Sequence, residues 1–191
     1  VDTTAPALTF DTPADGTVSN DTTPTLSGTV EVGAPVVVRV LDDQGNEVQV
    51  LATNVLNGAW DATALMLADG TYTFEATATD AAGNTTVVTN TVTIDTAPPA
   101  VALVTPIDGN SINDTTPTVS GTAEAGATIT ATITDSNGNV VETLMATADA
   151  NGDWSVDATT MLPEGDYSVS VTATDSAGNT AMGGPNNFTV D

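Results

Sequence analysis

Apolar and polar residues alternate along most of this chain. Tyr72, Phe74, Ala76 and Ala78 fall on every second position, with Thr71, Thr73, Glu75, Thr77 and Thr79 between them. Successive side chains of a strand point to opposite faces, so this spacing predicts a half-buried β-strand with the apolar row turned inward. Val36, Val38 and Val40 predict a second inward row. Both rows recur further on, as Tyr167, Val169, Val171 and Ala173 and as Ile129, Ala131 and Ile133. In the second occurrence Val37, Arg39 and Leu41 give way to Thr130, Thr132 and Thr134, which marks the solvent side. Gly, Asn, Asp and Pro separate the segments, about seven strands fit in each half, and no segment carries a helical period.

The recurrence is a whole-unit repeat. Asn113-Asp114-Thr115-Thr116-Pro117-Thr118 copies Asn20-Asp21-Thr22-Thr23-Pro24-Thr25 without change, at an offset of 93 residues. The same shift pairs Asp2 with Asp95, Ser27-Gly28-Thr29 with Ser120-Gly121-Thr122, and Glu31-Val32-Gly33-Ala34 with Glu124-Ala125-Gly126-Ala127. The offset grows by one before Trp60 and Trp154 and by one more before Tyr72 and Tyr167, so the insertions fall between strands. Residues 1–95 and 96–191 are therefore two domains. The chain is all-β, and short antiparallel strands at this density predict two tandem immunoglobulin-like Greek-key β-sandwiches. Val1-Asp2 at one end and Val190-Asp191 at the other read as a piece cut from a longer array. Tyr72 and Tyr167 follow a glycine at the start of a late strand, where sandwiches keep a corner tyrosine. Trp60 and Trp154 are expected as core anchors, with an exposed sugar-stacking platform as the other reading.

Composition changes this picture by exclusion. Cys and His are absent, which removes thiol nucleophiles, the usual general base and the soft ligands of zinc and copper. No run approaches the roughly 18 apolar residues of a membrane span, and residues 1–30 lack the basic start and apolar middle of a signal peptide. Against 25 Asp and Glu stands one basic residue, Arg39, for a net charge of −24. Such a surface repels nucleic acid and anionic lipid and requires cations. It fits a solvated acidic surface, adaptation to high salt, or bound metal. Most acids are Asp in turn-like stretches, where short carboxylates can converge on an ion.

Taken together, VDTTAP, NDTTPTLSGT, E-x-GA, the G-x-W strand, L-x-(D/E)-G-x-Y and ATDxAGNT resemble the bacterial immunoglobulin-like tandem repeats of giant RTX and biofilm-associated adhesins. The resemblance covers essentially the whole chain. It implies a non-enzymatic extender, or stalk, at the bacterial cell surface, secreted by a type I system, with calcium at domain junctions. The chain is expected to be monomeric, with neighbouring repeats of the same chain as its partners.

Calcium takes about six to eight oxygen ligands, and extracellular modules bind it at about 10⁻⁴–10⁻³ M, so carboxylates from separate loops suffice. Strand order places the N-terminus, the loop at Glu31 and the loop at Asp80 at one end of a unit, which makes Asp2, Glu31 and Asp80 a candidate set. Asn20, Asp21 and Asp95 belong to the other end. At the junction Asp95 is expected to face Glu124 and Asp175, with Asn20 and Asp21 nearby and Asn113 and Asp114 as their equivalents. Asp80-Ala81-Ala82-Gly83-Asn84 also reads as a glycine turn whose Asp bonds its own backbone, and Asn20-Asp21 reads the same way. Asp135 to Val140 and Asp149 to Trp154 resemble the start of an EF-hand loop, but lack Gly at the sixth position and are expected to be hairpin turns. A carbohydrate- or receptor-binding module is the competing function. A glycosidase would need two carboxylates across a cleft, and nothing breaks the repeat to build one.

Overall fold

The computed structural model describes residues 2–191, and those residues form strands and loops with no helix. None of them could therefore cross a membrane as a helix. The chain divides into two compact units, the first ending at Thr96 and the second beginning at Ala97.

Unit 1 contains β1 (Thr17–Ser19), β2 (Thr25–Thr29), β3 (Val36–Leu41), β4 (Glu47–Leu51), β5 (Asn54–Leu56), β6 (Ala59–Thr63), β7 (Gly70–Thr79) and β8 (Thr85–Ile94). They form a five-stranded sheet in the order β1-β8-β7-β3-β4 and a three-stranded sheet in the order β2-β6-β5. Unit 2 contains β9 (Val101–Thr105), β10 (Asn110–Ile112), β11 (Thr118–Ala123), β12 (Thr128–Asp135), β13 (Val140–Thr147), β14 (Asp153–Asp157), β15 (Gly165–Thr174) and β16 (Thr180–Val190). Its sheets run β10-β16-β15-β12-β13 and β14-β11-β9. Seven strands are common to both units, as the alternation predicts. Unit 1 adds β5, and unit 2 adds β9, whose counterpart in unit 1 makes only isolated bridges, Leu8 to Val30 and Thr12 to Ser27.

The inward rows are the predicted ones. Val36, Val38, Val40, Phe74, Ala76 and Ala78 are buried against Leu26 and Trp60 of the facing sheet. In unit 2, Ile129, Ala131, Ile133, Val169, Val171 and Ala173 meet Val119 and Trp154. Trp60 is 1% exposed and Trp154 4%, which makes both core anchors. The Trp60 Nε1–H donates to the Thr9 carbonyl at 3.0 Å, whereas Trp154 Nε1 is buried without a partner among the described residues. The corner tyrosines are formed as well: Tyr72 Oη donates to the Ala68 carbonyl (3.1 Å) and Tyr167 Oη to that of Pro163 (2.9 Å).

One pairing departs from the simple up-and-down order. β1 runs parallel to β8, and β10 parallel to β16. The N-terminal segment starts beside β2, and Pro13, with no N–H to give a ladder, ends that pairing. The chain then crosses to the other sheet. Asn90 and Asp15 fasten the crossing: Asn90 Nδ2 donates to the Pro13 carbonyl (2.7 Å), and the Thr91 N–H donates to Asp15 Oδ1 (2.8 Å). Unit 2 repeats the device with Asn186 on the Pro106 carbonyl and Asp108 beneath Asn187.

Candidate functional site

The candidate set at one end of unit 1 is brought into a single cleft. Asp2, Glu31 and Asp80 line a depression of about 500 Å³ together with Val32, Gly33, Ala34, Ala81 and Ala82. Antiparallel pairing of β3 with β7 puts the β2–β3 and β7–β8 loops at the same edge. The N-terminal segment is then tied beside them, through the Glu31 N–H on the Ala7 carbonyl (2.9 Å), Thr86 Oγ1 on the Pro6 carbonyl (2.6 Å) and Asn84 Nδ2 on the Asp2 carbonyl (3.3 Å). Gly33 and Gly83 sit at φ of 95° and 88°, turning both loops in the left-handed region where a side chain would strain the backbone.

Two of the three carboxylates are tied to their own loops. Asp80 Oδ1 accepts the N–H groups of Ala82 and Asn84 at 2.8 Å each, and Oδ2 accepts Asn84 Nδ2 at 2.7 Å. The Asn84 side chain, with those backbone donors, holds the Asp80 carboxyl below the usual range. An ionised carboxylate offers about four acceptor positions, so Asp80 keeps capacity for a further donor or cation. Asp2 Oδ1 accepts the Thr4 N–H at 3.0 Å. Glu31 is exposed, and its carboxylate makes no hydrogen bond to another described residue. The three groups share the cleft but do not converge: among the described residues no three acidic side chains come close enough to hold an ion as they stand. Their chemistry, hard anionic oxygens with spare acceptor capacity, fits a cation such as calcium better than any transition metal.

The other candidates are placed as follows. Asp95 lies at the opposite end of unit 1, its N–H on the Ser19 carbonyl (3.0 Å), directly before Asn20 and Asp21. Asp21 Oδ1 accepts the Thr23 N–H at 2.9 Å and Asp114 Oδ1 the Thr116 N–H at 2.9 Å, so both aspartates brace their own turns, while Asn20 and Asn113 are exposed. In unit 2, Glu124 is exposed and its carbonyl closes a turn with the Ala127 N–H, while Asp175 repeats the Asp80 loop with Ala177 and Asn179. Burial works against the Asp175 carboxylate, but the donors of Asn179, Ala177 and Gly178 outweigh it and hold its pKa down.

This Asp-x-x-Gly-Asn loop is a general turn of the fold. Asp42 with Asn46 and Asp135 with Asn139 build the same lock and are not part of the cleft lining, and Asp149 with Asp153 builds a close variant. The EF-hand-like segments are thus turns, joining β12 to β13 and β13 to β14. Sequence inspection missed Asp15 and Asp108, although Pro-x-Asp-Gly at 13–16 and 106–109 is repeated in register and could have exposed them. It also missed Glu142, whose carboxylate accepts the N–H groups of Thr159 and Thr160 and the Thr159 hydroxyl.

The lock predicts a pH effect. Asp135 is held below its ordinary pKa, first by the Asn139 side chain and then by backbone donors. A carboxylate whose folded pKa is depressed adds stability above its unfolded pKa of about 4 and loses it as the pH falls through the lower, folded value. Asp135→Asn turns an amide toward Asn139 Nδ2, so its melting temperature should lie below that of the unsubstituted chain at pH 6. The gap should begin to narrow as the pH falls below about 4 and close only below the lower, folded value, where the parent carboxylate is protonated too. Thermal melts of both proteins in EDTA from pH 6 to pH 3 measure it, and a gap that stays constant with pH would remove the ionic lock.

The sequence profile of a family described as bacterial Ig-like domain matches residues 3–96 and again 105–191. No curated protein matches. Among solved structures, a tetra-tandem repeat from the extending region of a large adhesion protein is 30% identical over 98% of this chain and 49% of its own, with a TM-score of 0.46. The chain thus spans about half the length of that structure. The fibronectin(III)-like modules of Clostridium thermocellum CbhA align over 96% of this chain and 93% of theirs at 18% identity and a TM-score of 0.57. An I-band fragment of titin aligns over 100% and 66% at 14% identity and a TM-score of 0.55. The last two show the same fold.

Proposed function

The chain belongs to the bacterial immunoglobulin-like domain family, and from that membership we propose that its two units are spacer repeats in the stalk of a large adhesin at the bacterial surface, stiffened by calcium. The observation that carries this reading is the repetition of a complete sandwich, core, crossing and acidic loops included. A receptor-binding surface or active centre built into one unit would set that copy apart. Here Asp2, Glu31 and Asp80 recur as Asp95, Glu124 and Asp175, and both tryptophans lie in the core. That burial also counts against the carbohydrate-binding alternative, since neither indole is available to stack on a sugar. Family membership favours a structural, non-enzymatic role.

Asp2, Glu31 and Asp80 would hold the ion in unit 1, with loop carbonyls and water completing its oxygen shell. Bound calcium would place positive charge among carboxylates of a chain carrying −24. Secretion by a type I system and presentation of a distal ligand-binding region belong to the same proposal. The test is thermal. An ion that binds only the folded state stabilises it by mass action, so about 10 mM calcium against a Kd of about 10⁻⁴–10⁻³ M should add about 1.4–2.7 kcal/mol per site, on the order of 10 °C. Sodium chloride of equal ionic strength should add much less, and Glu31→Gln should reduce the calcium increment. Equal melting in EDTA and in calcium would remove calcium from the proposal and leave the spacer role standing on the repeat alone.

A further inference from the structure

The chain contains four methionines and no cysteine, so four thioethers are all of its sulfur. Methionine is usually a core residue that fills irregular gaps. Here every one stands at the surface: Met66 is 79% exposed, Met145 68%, Met161 71% and Met182 77%. Met66 and Met161 occupy equivalent positions in the loops that lead to the corner tyrosines. Each directly precedes a leucine that is sunk in the core, Leu67 at 4% and Leu162 at 1%. Met145 and Met182 lie on the outer face of the larger sheet of unit 2, at the two ends of one cross-strand row. In that row Met145 pairs with Thr130, Thr130 with Thr172, and Thr172 with Met182. The two indoles, the other readily oxidised side chains, are buried.

We propose that the four methionines are modification sites for peroxides, each accepting one oxygen atom without loss of the fold. The thioether sulfur attacks one peroxide oxygen, the O–O bond breaks, and an S–O bond forms. Sulfur gives up two electrons, and the second oxygen leaves as water with both protons of hydrogen peroxide. The sulfoxide is more polar than the thioether and would disrupt a core, but at these positions it enters solvent. Methionine sulfoxide reductases, one for each sulfoxide epimer, restore the thioether with two electrons and two protons from thiols and release the oxygen as water, so the chain consumes up to four equivalents of oxidant and can be restored.

The experiment treats the whole chain with hydrogen peroxide, folded and in urea, and follows each methionine by peptide mass spectrometry and the fold by thermal melting. All four should oxidise in the folded chain at rates within roughly threefold of those in urea, and the fully oxidised chain should melt within about 2 °C of the untreated one. A thioether introduced by Leu67→Met, at a buried position, should be protected by roughly tenfold or more. Protection of any native methionine to that extent, or a fall of more than about 5 °C on full oxidation, would overturn the proposal. The comparison of folded with urea-unfolded parent chain decides it even where Leu67→Met does not fold.

Discussion

Gly28→Ala is expected to destabilise unit 1 by about 3 kcal/mol or more, far beyond the ordinary cost of adding a methyl group in a strand. Gly28 sits in the middle of β2, where a glycine normally weakens a strand, and its conformation there is ordinary. Space is what excludes a side chain. A Cβ at this position would stand 2.1 Å from the Thr9 carbonyl oxygen and 2.7 Å from Trp60 Nε1. Those two atoms form the hydrogen bond that satisfies the buried indole, so the methyl group must break that bond or push the N-terminal segment off the sheet. Gly121 is under the same constraint in unit 2, its Cβ falling 2.0 Å from the Ala102 carbonyl and 2.8 Å from the Trp154 ring. Gly83, by contrast, has no atom within 4 Å of an added Cβ and is held only by its φ of 88°. Urea denaturation of the three alanine variants gives the comparison. If Gly28→Ala and Gly121→Ala cost no more than Gly83→Ala, the close approach of the N-terminal segment to the tryptophan is not part of the fold.

Trp60→Ala should cost about 3–5 kcal/mol, the usual penalty for emptying a large aromatic site. Trp60 bridges the two sheets of unit 1 and meets Phe10 edge-on, with ring centroids 5.2 Å apart. A small domain holds about 5–15 kcal/mol in total, so this loss takes a large part of it. The two cores are built from separate residue sets, and the substitution should therefore split the melting profile. One calorimetric transition should fall by roughly 15 °C or more while the other stays in place. Trp60→Phe tests the polar part of the loss, because it leaves the Thr9 carbonyl without its donor. The matching Trp154→Phe removes an indole N–H that has no partner and should cost less. Equal costs for the two phenylalanine variants would mean that the Trp60 hydrogen bond contributes nothing net.

The alternation of side chains was enough to place the strands, because burial on one face leaves an unmistakable period of two. The 93-residue offset placed the two domains, and strand order grouped Asp2, Glu31 and Asp80 correctly at one end of unit 1. Three features were not legible. The parallel pairing of β1 with β8 depends on a chain crossing set by Pro13, Asp15 and Asn90, and those contacts link residues about 77 positions apart with no local pattern. The role of Asp80 was left open between turn and ligand, since an Asp that locks a glycine turn and one that binds calcium share the same sequence. The structure shows the lock formed at Asp42, Asp80, Asp135 and Asp175, so the motif records turn chemistry wherever it occurs. The different states of the two tryptophans were also invisible, because both follow glycine on equivalent strands.

The parallel run of β1 beside β8 bears on how a unit answers a pull. β1 lies near the start of unit 1 and β8 closes it, so tension applied through the chain draws the two strands in opposite directions along their own length. The register Thr17 to Val92, Val18 to Thr93 and Ser19 to Ile94 is then loaded in shear, together with the flanking bonds from Gly16 to Thr91 and from Asp95 to Ser19. Bonds loaded side by side must give way together, whereas an antiparallel hairpin pulled at its open end unzips one bond at a time. The same arrangement of β10 beside β16 gives unit 2 an equivalent clamp, so each unit carries its own resistance to being drawn out.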